Sequence, residues 1–262
     1  MSGLAKGIIA VVVVALVGAA VFWWWNASHA PVLPSVPVTS TPAPVAPAAP
    51  AGPAHPIEPA AEEKLPALDD SDGTLGAALA ALDRGAAERL LNLQGFVRRV
   101  VATIDNLPRE SYAARLDPVK PMAGLPVTRG EGTTLVLAPQ NSGRYTPFIR
   151  AMDAVSTEKL VAVYRRFYPL FQQAYVDLGY PQGYFNDRLV EVIDHLLEAP
   201  EPAGPVRLTV PHVLYEYADP ELQSLSSGRK VLVRMGLENE RRVKAKLREI
   251  RAAVTSNPPK QP

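Results

Sequence analysis

The feature that most constrains this chain is an uncharged apolar run near its N-terminus, from Gly7 to Trp25. Its nineteen residues would form a helix about 28 Å long, close to the roughly 30 Å thickness of the hydrocarbon core of a bilayer. Three consecutive tryptophans close the run, and aromatic rings are frequent at membrane interfaces. The sequence therefore predicts a transmembrane helix at 7–25. A cleavable secretory signal is the alternative, although its apolar region spans only about 7–15 residues.

Basic residues are distributed unequally around this run. Lys6 precedes it, whereas the next lysine or arginine along the chain is Lys64. Because basic residues are retained on the cytoplasmic side of a membrane, we expect residues 1–6 in the cytoplasm and the rest of the chain beyond the membrane.

A stretch rich in proline and alanine follows, over residues 26–66. Its part from 27 to 66 holds eleven of the 27 prolines of the chain. Proline fixes φ and removes a backbone donor, so this stretch is predicted to be an extended, disordered spacer. A docking segment for a proline-recognising partner is the alternative, but the PxxP matches lack a basic flank.

Residues 67–255 have the apolar periodicity of one globular domain, and 256–262 are expected to form a flexible tail. The fold class is predicted as mostly α with a minor β component (α+β). Asp72 is expected to cap the first helix, and a second helix is expected from Ala86 to just before Pro108. Further helices are predicted from Ser156, at 184–197, from Pro220 with Asp219 as its cap, and at 237–254; short strands are predicted at 125–128, 133–138, 206–210 and 212–217.

Composition narrows the chemistry available to the domain. The chain has no cysteine, which excludes disulfides, thiol catalysis and thiolate metal sites. Its 27 lysines and arginines nearly balance 26 acidic residues, so no overall field favours nucleic acid. Two of the four histidines, His29 and His55, lie in the predicted spacer. We therefore expect neither a metal site nor a cofactor.

Three stretches of the domain resemble a known bacterial family. They contain RVVATIDNLP at 99–108, YPLFQQAY and GYFNDR within 164–197, and ADPELQSLSSGRKVLVRMG at 218–236. Together they resemble the family named only as domain of unknown function 3014. The resemblance implies a single-pass protein of the bacterial envelope with an N-terminal anchor and a proline-rich spacer. With the orientation expected from the basic residues, the anchor is predicted in the inner membrane and the C-terminal domain in the periplasm. This family has no known activity, so the resemblance assigns no site residue.

One motif matches the nucleophile signature of penicillin-binding enzymes. The segment from Ser156 to Lys159 spells S-x-x-K, but the companion motifs S-D-N and K-T-G are absent. A serine at the start of an apolar-periodic segment is expected to be a helix cap instead.

A second candidate is the carboxylate row of the 187–194 helix. Asp187, Glu191 and Asp194 are spaced to share a helical face, with His195 next to them. Glycoside hydrolysis uses two carboxylates that flank a sugar, so a hydrolase acting on cell-wall material is one hypothesis. A polar face paired with Arg188 is the alternative, and it makes these residues structural.

We expect the recognition surface near the Gly-Tyr-Pro break at 179–181, where a long helix stops. Exposed tyrosine and arginine give directional contacts. Residues 226–251 contain nine basic residues and only three acidic ones. The predicted contact residues are Tyr180, Tyr184, Asn186 and Arg188, with Arg241, Arg242 and Lys246 adding electrostatic attraction.

The sequence thus favours a membrane-tethered binding or scaffold protein of the envelope over an enzyme. Its expected partners are another envelope protein or the cell wall, and not nucleic acid; the sequence leaves the oligomeric state open.

Overall fold

The computed structural model describes residues 52–58, 64–111 and 113–256. The predicted transmembrane helix at 7–25, residues 26–51 of the predicted spacer and the tail from 257 onward lie outside the described residues. Within the described ranges, no helix combines the length and the apolarity needed to cross a bilayer.

The described part of the chain is mostly helical, with eight α-helices and four short strands. The helices are α1 Asp72–Leu90, α2 Phe96–Asn106, α3 Thr146–Ala154, α4 Thr157–Asp177, α5 Phe185–Leu197, α6 Pro220–Gln223, α7 Ser227–Met235 and α8 Leu237–Thr255. The strands are β1 Thr128–Arg129, β2 Val136–Leu137, β3 Leu208–Thr209 and β4 Glu216–Tyr217. The prediction of a mostly helical domain with a small β component is confirmed.

Local capping explains why several helices begin where the sequence predicts. The Ser156 hydroxyl accepts a hydrogen bond from Lys159 N at the start of α4. Asp219 accepts one from Glu221 N at 2.9 Å at the start of α6. These side chains satisfy amides that have no partner within their own helix.

The main core lies where α2, α4 and α5 meet. Apolar residues recur at helical spacing along α4, and its buried face carries Phe167, Phe171 and Tyr175. Phe171 stacks on Phe185 of α5 with ring centroids 5.8 Å apart. The aromatic residues of this region therefore pack mainly as core, as their helical spacing indicates.

The four strands form two antiparallel hairpins joined at one edge. Thr128 of β1 pairs with Leu137 of β2, and Leu208 of β3 pairs with Tyr217 of β4. A bridge between Val136 and residue 207 connects the hairpins. One face of this small sheet covers α7, where Leu208 and Tyr217 pack against Val233.

Two expectations about α1 and α2 are wrong. Asp72 does not cap its own helix; its carboxylate accepts hydrogen bonds from Gly95 N at 2.7 Å and Phe96 N at 3.2 Å, at the start of α2. The helix predicted from Ala86 to Pro108 is broken at 91–95, because Gly95 adopts a φ of 61° and residues 90–92 hydrogen-bond to 118–120.

The boundary between spacer and domain is also corrected. Segment 52–58, assigned to the spacer, packs on the domain: His55 N donates to Asp187 Oδ1 at 2.7 Å, and Ile57 contacts the cluster that contains Val254 of α8. Asp187 lies on the helix predicted at 184–197, but the periodicity of that helix does not reveal its contact with His55. The domain therefore begins at or before residue 52.

Candidate functional site

The predicted contact residues Tyr180 and Arg188 surround a buried carboxylate, Asp105 of α2. Asp105 is only 2% exposed. Arg188 Nε lies 3.1 Å from Asp105 Oδ1, Tyr180 donates its hydroxyl to Oδ2 at 3.2 Å, and Arg109 reaches Oδ2 at 2.8 Å. We call these four residues the Asp105 cluster.

The Asp105 cluster makes Tyr180 and Arg188 parts of the structure. Tyr180 is half-buried and stacks on Tyr175 with ring centroids 4.5 Å apart. Arg188 also donates to the Asp105 carbonyl at 2.9 Å and pairs with Glu191 at 2.8 Å. Since a buried carboxylate needs such donors, these two side chains are part of the packed structure and only partly exposed. Their contact with a partner stays a prediction.

Asn186 departs furthest from its predicted place, because it is 0% exposed. Its side-chain amide donates to His55 O at 2.8 Å and to Val254 O at 3.2 Å, and its carbonyl accepts from the Tyr164 hydroxyl. Asn186 thereby joins segment 52–58, α4, α5 and α8. The prediction that Asn186 lines an exposed patch is therefore wrong, whereas the neighbouring Tyr184 is half-buried.

The three basic residues of α8 have partners of their own within the domain. Arg241 pairs with Glu201 at 2.8 Å, and Arg242 pairs with Asp153 of α3. Lys246 is mostly buried and donates to Val155 O at 3.2 Å. Their charges are thus engaged locally, and their part in attracting a partner stays a prediction.

Each carboxylate of the 187–194 row has a structural partner. Asp187 accepts backbone hydrogen bonds from Ala54 and His55, and Glu191 pairs with Arg188. Asp194 accepts from Arg251 Nη2 at 2.9 Å, and this hydrogen bond lowers the pKa of the Asp194 carboxyl.

His195 of the same helix contacts the start of α7. One ring nitrogen lies 2.8 Å from the hydroxyl of Ser226, the residue that caps α7. Burial lowers the pKa of His195, and the positive charge of Arg229 acts in the same direction. The described residues contain no group of three or more potential metal ligands.

A second buried charge is Glu240 of α8, which the sequence did not single out. Its side chain is fully buried, and Lys244 Nζ lies 3.0 Å from Oε1 without hydrogen-bond geometry. Burial raises the pKa of the Glu240 carboxyl, and Lys244 opposes that rise. Lys244 itself donates to Ala199 O at 2.6 Å and to Glu201 at 3.0 Å.

An apolar cavity of about 330 Å³, partly open to solvent, lies between α1, α3, α4 and α8. Fourteen of its sixteen lining residues are apolar, and the two charged ones are Asp83 and Lys246. Leucines of α1 face Phe148 and Met152 of α3 across it. Its volume lies within the range of about 300–1,000 Å³ typical of small-molecule sites.

A smaller apolar cavity of about 220 Å³ adjoins the first. Leu79, Leu160 and Ile250 line both cavities, so the two compartments lie next to each other. The second compartment runs beneath α1 toward the aromatic core of α4 and α5, past Tyr164 and Phe185.

Helix α1 is broken where it borders the first cavity. Asp83 has φ −157° and ψ 98°, outside the helical range, and its carboxylate accepts from Ala86 N at 2.9 Å as a cap for the second half of the helix. The cavity wall is thus made of two short helical stretches. The sequence does not reveal the cavity, because its lining comes from four separate helices. The apolar positions of α1 are the one sequence feature that indicates it.

Comparison with known proteins gives one match. A family model described as "Protein of unknown function (DUF3014)" matches residues 96–251, which confirms the resemblance carried by the three stretches. No curated protein and no solved structure matches the chain. Helix α1, which covers the cavity, precedes the matched residues.

Proposed function

The chain belongs to the family described as protein of unknown function DUF3014, and for this member we propose a role as a membrane-tethered binding protein of the bacterial envelope. In this proposal residues 7–25 anchor the chain in the inner membrane. The domain lies in the periplasm, where its apolar cavity holds an acyl chain of a membrane lipid.

The observation that carries this proposal is the apolar cavity. Side chains of four helices leave an apolar pocket of about 330 Å³ between them that opens to solvent, and an apolar concavity of this size is typical of a ligand site. If a methylene occupies about the 30 Å³ of a water molecule, the cavity takes about eleven of them. An adjoining compartment of about 220 Å³ lies next to it. An aliphatic chain fits such a volume better than a compact polar ligand does.

The chemistry of the lining supports an aliphatic ligand as well. Each buried methylene contributes about 0.8 kcal/mol, so a chain of this length supplies enough hydrophobic free energy for stable binding. The charge of Lys246 is already met by Val155 O, Thr157 and Glu249. The carboxylate of Asp83 accepts from Ala86 N. Because both charged residues of the lining have partners within the domain, we assign the cavity the acyl chain and not the polar head group.

The lipid-binding part of the proposal is tested by filling the cavity. Ala151 lines it and is half-buried, so a phenyl ring in Ala151→Phe would occupy space that the ligand needs. Ala162 lies on the exposed side of α4, which makes Ala162→Phe a matched control. With a fluorescent fatty-acid analogue and residues 52–262, we expect at least about tenfold weaker binding for Ala151→Phe and unchanged binding for Ala162→Phe. Equal binding by both variants would refute the assignment of the cavity.

The tether is tested separately in cells. Alkaline phosphatase fused after Pro262 should be active, because that enzyme requires the periplasm, and the full chain should resist alkaline extraction from membranes. Activity only from a cytoplasmic reporter, or release by the alkaline wash, would contradict the proposed anchor without affecting the cavity.

A further inference from the structure

The connection between β3 and β4 is the most apolar exposed segment of the described domain. Residues 210–215 read VPHVLY and contain no acidic residue, lysine or arginine. Val213 is 87% exposed and Leu214 77%, and Val210 and Tyr215 are each about half exposed. We call residues 210–215 the apolar finger.

The base of the finger is firmly held, so its exposure does not result from a loose hairpin. Tyr217 is buried, donates its hydroxyl to Lys230 O at 2.9 Å, and donates its backbone N–H to Gln223 Oε1 at 2.9 Å. Leu208 opposite it is also buried. The hairpin therefore holds the apolar side chains outward from a packed sheet.

From this geometry we propose that the apolar finger rests in the interface of the lipid bilayer. Apolar groups that are adjacent and fully exposed usually mark a contact with a membrane or another protein. Tyr215 suits the headgroup region, where an aromatic ring has an apolar side and a hydrated side. The connection has unpaired backbone groups that need water or head groups, so it enters the interface and not the hydrocarbon core.

The chain outside the described residues favours a membrane as the occupant over a soluble protein. The predicted anchor ends at residue 25, and 26 residues separate it from the first described residue. An extended proline-rich segment of that length spans at most about 80 Å. The finger is thus kept within reach of the bilayer. The proposal uses the proposed tether for this reach alone and is independent of the lipid-binding cavity.

The charges near the finger predict how the contact depends on lipid composition. Arg129 and Arg207 lie on the exposed face of the sheet. Glu131 and Glu216 lie at the end of the sheet from which the finger extends. Basic and acidic residues balance here, so anionic lipid provides little extra attraction. We expect the finger to enter zwitterionic and anionic bilayers to the same extent.

The absence of cysteine from the chain permits a direct test. A single cysteine in Leu214→Cys can be labelled with an environment-sensitive fluorophore, and the full chain can be reconstituted into phosphatidylcholine vesicles. Leu125 provides the matched control, because it is 84% exposed and precedes β1 at the opposite end of the sheet. Labels at the two positions therefore begin with similar exposure and differ in their place relative to the finger.

We expect lipid-borne quenchers to quench the label at position 214 at least about threefold more than the label at 125. Aqueous iodide should show the reverse order. Adding Val213→Asp to the labelled Leu214→Cys chain should abolish the difference while leaving the melting temperature unchanged, since Val213 is 87% exposed.

Two results would overturn the proposal. Equal access of iodide to both labels in vesicles would show that the finger stays in water. Protection of position 214 in native membranes but not in pure lipid vesicles would identify a protein as the occupant. Release of the chain by alkaline washing would contradict the proposed tether. In that case the difference in quenching between positions 214 and 125 is measured with the chain added to vesicles from solution.

Discussion

Replacing Asp105 by alanine tests whether the predicted contact residues are structural. The substitution removes the acceptor of Arg188, Tyr180 and Arg109. A hydrogen bond between charged groups contributes about 1.5–3 kcal/mol when buried, and Arg188 is only 19% exposed. The hydroxyl of Tyr180 adds up to about 1 kcal/mol, and the exposed Arg109 adds little.

These contributions predict that Asp105→Ala lowers the free energy of unfolding by about 3 kcal/mol. For a domain of this size, about 1 kcal/mol corresponds to about 2–4 °C in melting temperature. Thermal unfolding of residues 52–262, followed by circular dichroism, should therefore show a drop of about 6–12 °C. The expected loss is smaller than for a fully buried pair, because Arg188 keeps Glu191 and the Asp105 carbonyl.

Asp177→Ala is the matched control. Asp177 also pairs with an arginine, Arg98, but both side chains are well exposed, so the expected loss is below about 1 kcal/mol. A melting temperature of Asp105→Ala equal to that of Asp177→Ala would refute the reasoning. The predicted contact role of Tyr180 and Arg188 would then regain support.

Three further predictions concern buried polar groups. Asn186→Ala should lower the free energy of unfolding by about 1–3 kcal/mol, because it removes bonds to three segments; faster amide exchange at 52–58 in the variant checks this, and unchanged exchange contradicts it. Burial lowers the pKa of His195, so its contribution to stability is present above its unfolded pKa of about 6.5 and is lost as pH falls toward the folded value. The difference between the melting temperatures at pH 7.5 and pH 5.5 should therefore be smaller for His195→Gln than for the native chain. An equal difference in the two proteins would contradict this prediction. Burial raises the pKa of Glu240, so its stabilising contribution is full below its unfolded pKa and is lost as pH rises through the folded pKa. The free energy of unfolding of Glu240→Gln, relative to that of the native chain, should thus increase from pH 4 to pH 7, as measured by chemical denaturation at the two pH values. A decrease over this range would argue against the raised pKa.

The sequence predicted those parts of the fold that depend on local interactions. The boundaries of α5 and α8 follow from apolar spacing, and the caps Ser156 and Asp219 act on amides two or three residues away. Such signals lie within one helical turn, so a single sequence contains them.

The wrong predictions involve side chains whose partners are distant in sequence. Asp72 has the composition of a cap for α1, yet its carboxylate serves the amides of residues 95 and 96. Asn186 follows a chain break and resembles an exposed first-turn residue, but it bonds to residues more than 60 positions away. No periodicity encodes these pairings, because they arise only after the helices pack.

The candidate site likewise depends on residues that are distant in sequence. The sequence predicts a contact role for Lys246 from its charge, and the structure places it beside an apolar cavity where that charge is already satisfied. The apolar residues that line the cavity are indistinguishable in sequence from ordinary core residues. Only their three-dimensional arrangement leaves the space between α1 and α3 unfilled.

The most direct test of the proposed lipid-binding function is to locate the ligand on the chain. Cells that produce the full chain would be fed a fatty acid with a photoreactive group near the end of its acyl chain, irradiated, and the cross-linked peptides identified by mass spectrometry. We predict cross-links in α1 and α3, at residues 79–91 and 148–155, that Ala151→Phe abolishes and Ala162→Phe retains. Cross-links confined to residues 7–25, or unchanged by Ala151→Phe, would contradict the assignment of the cavity.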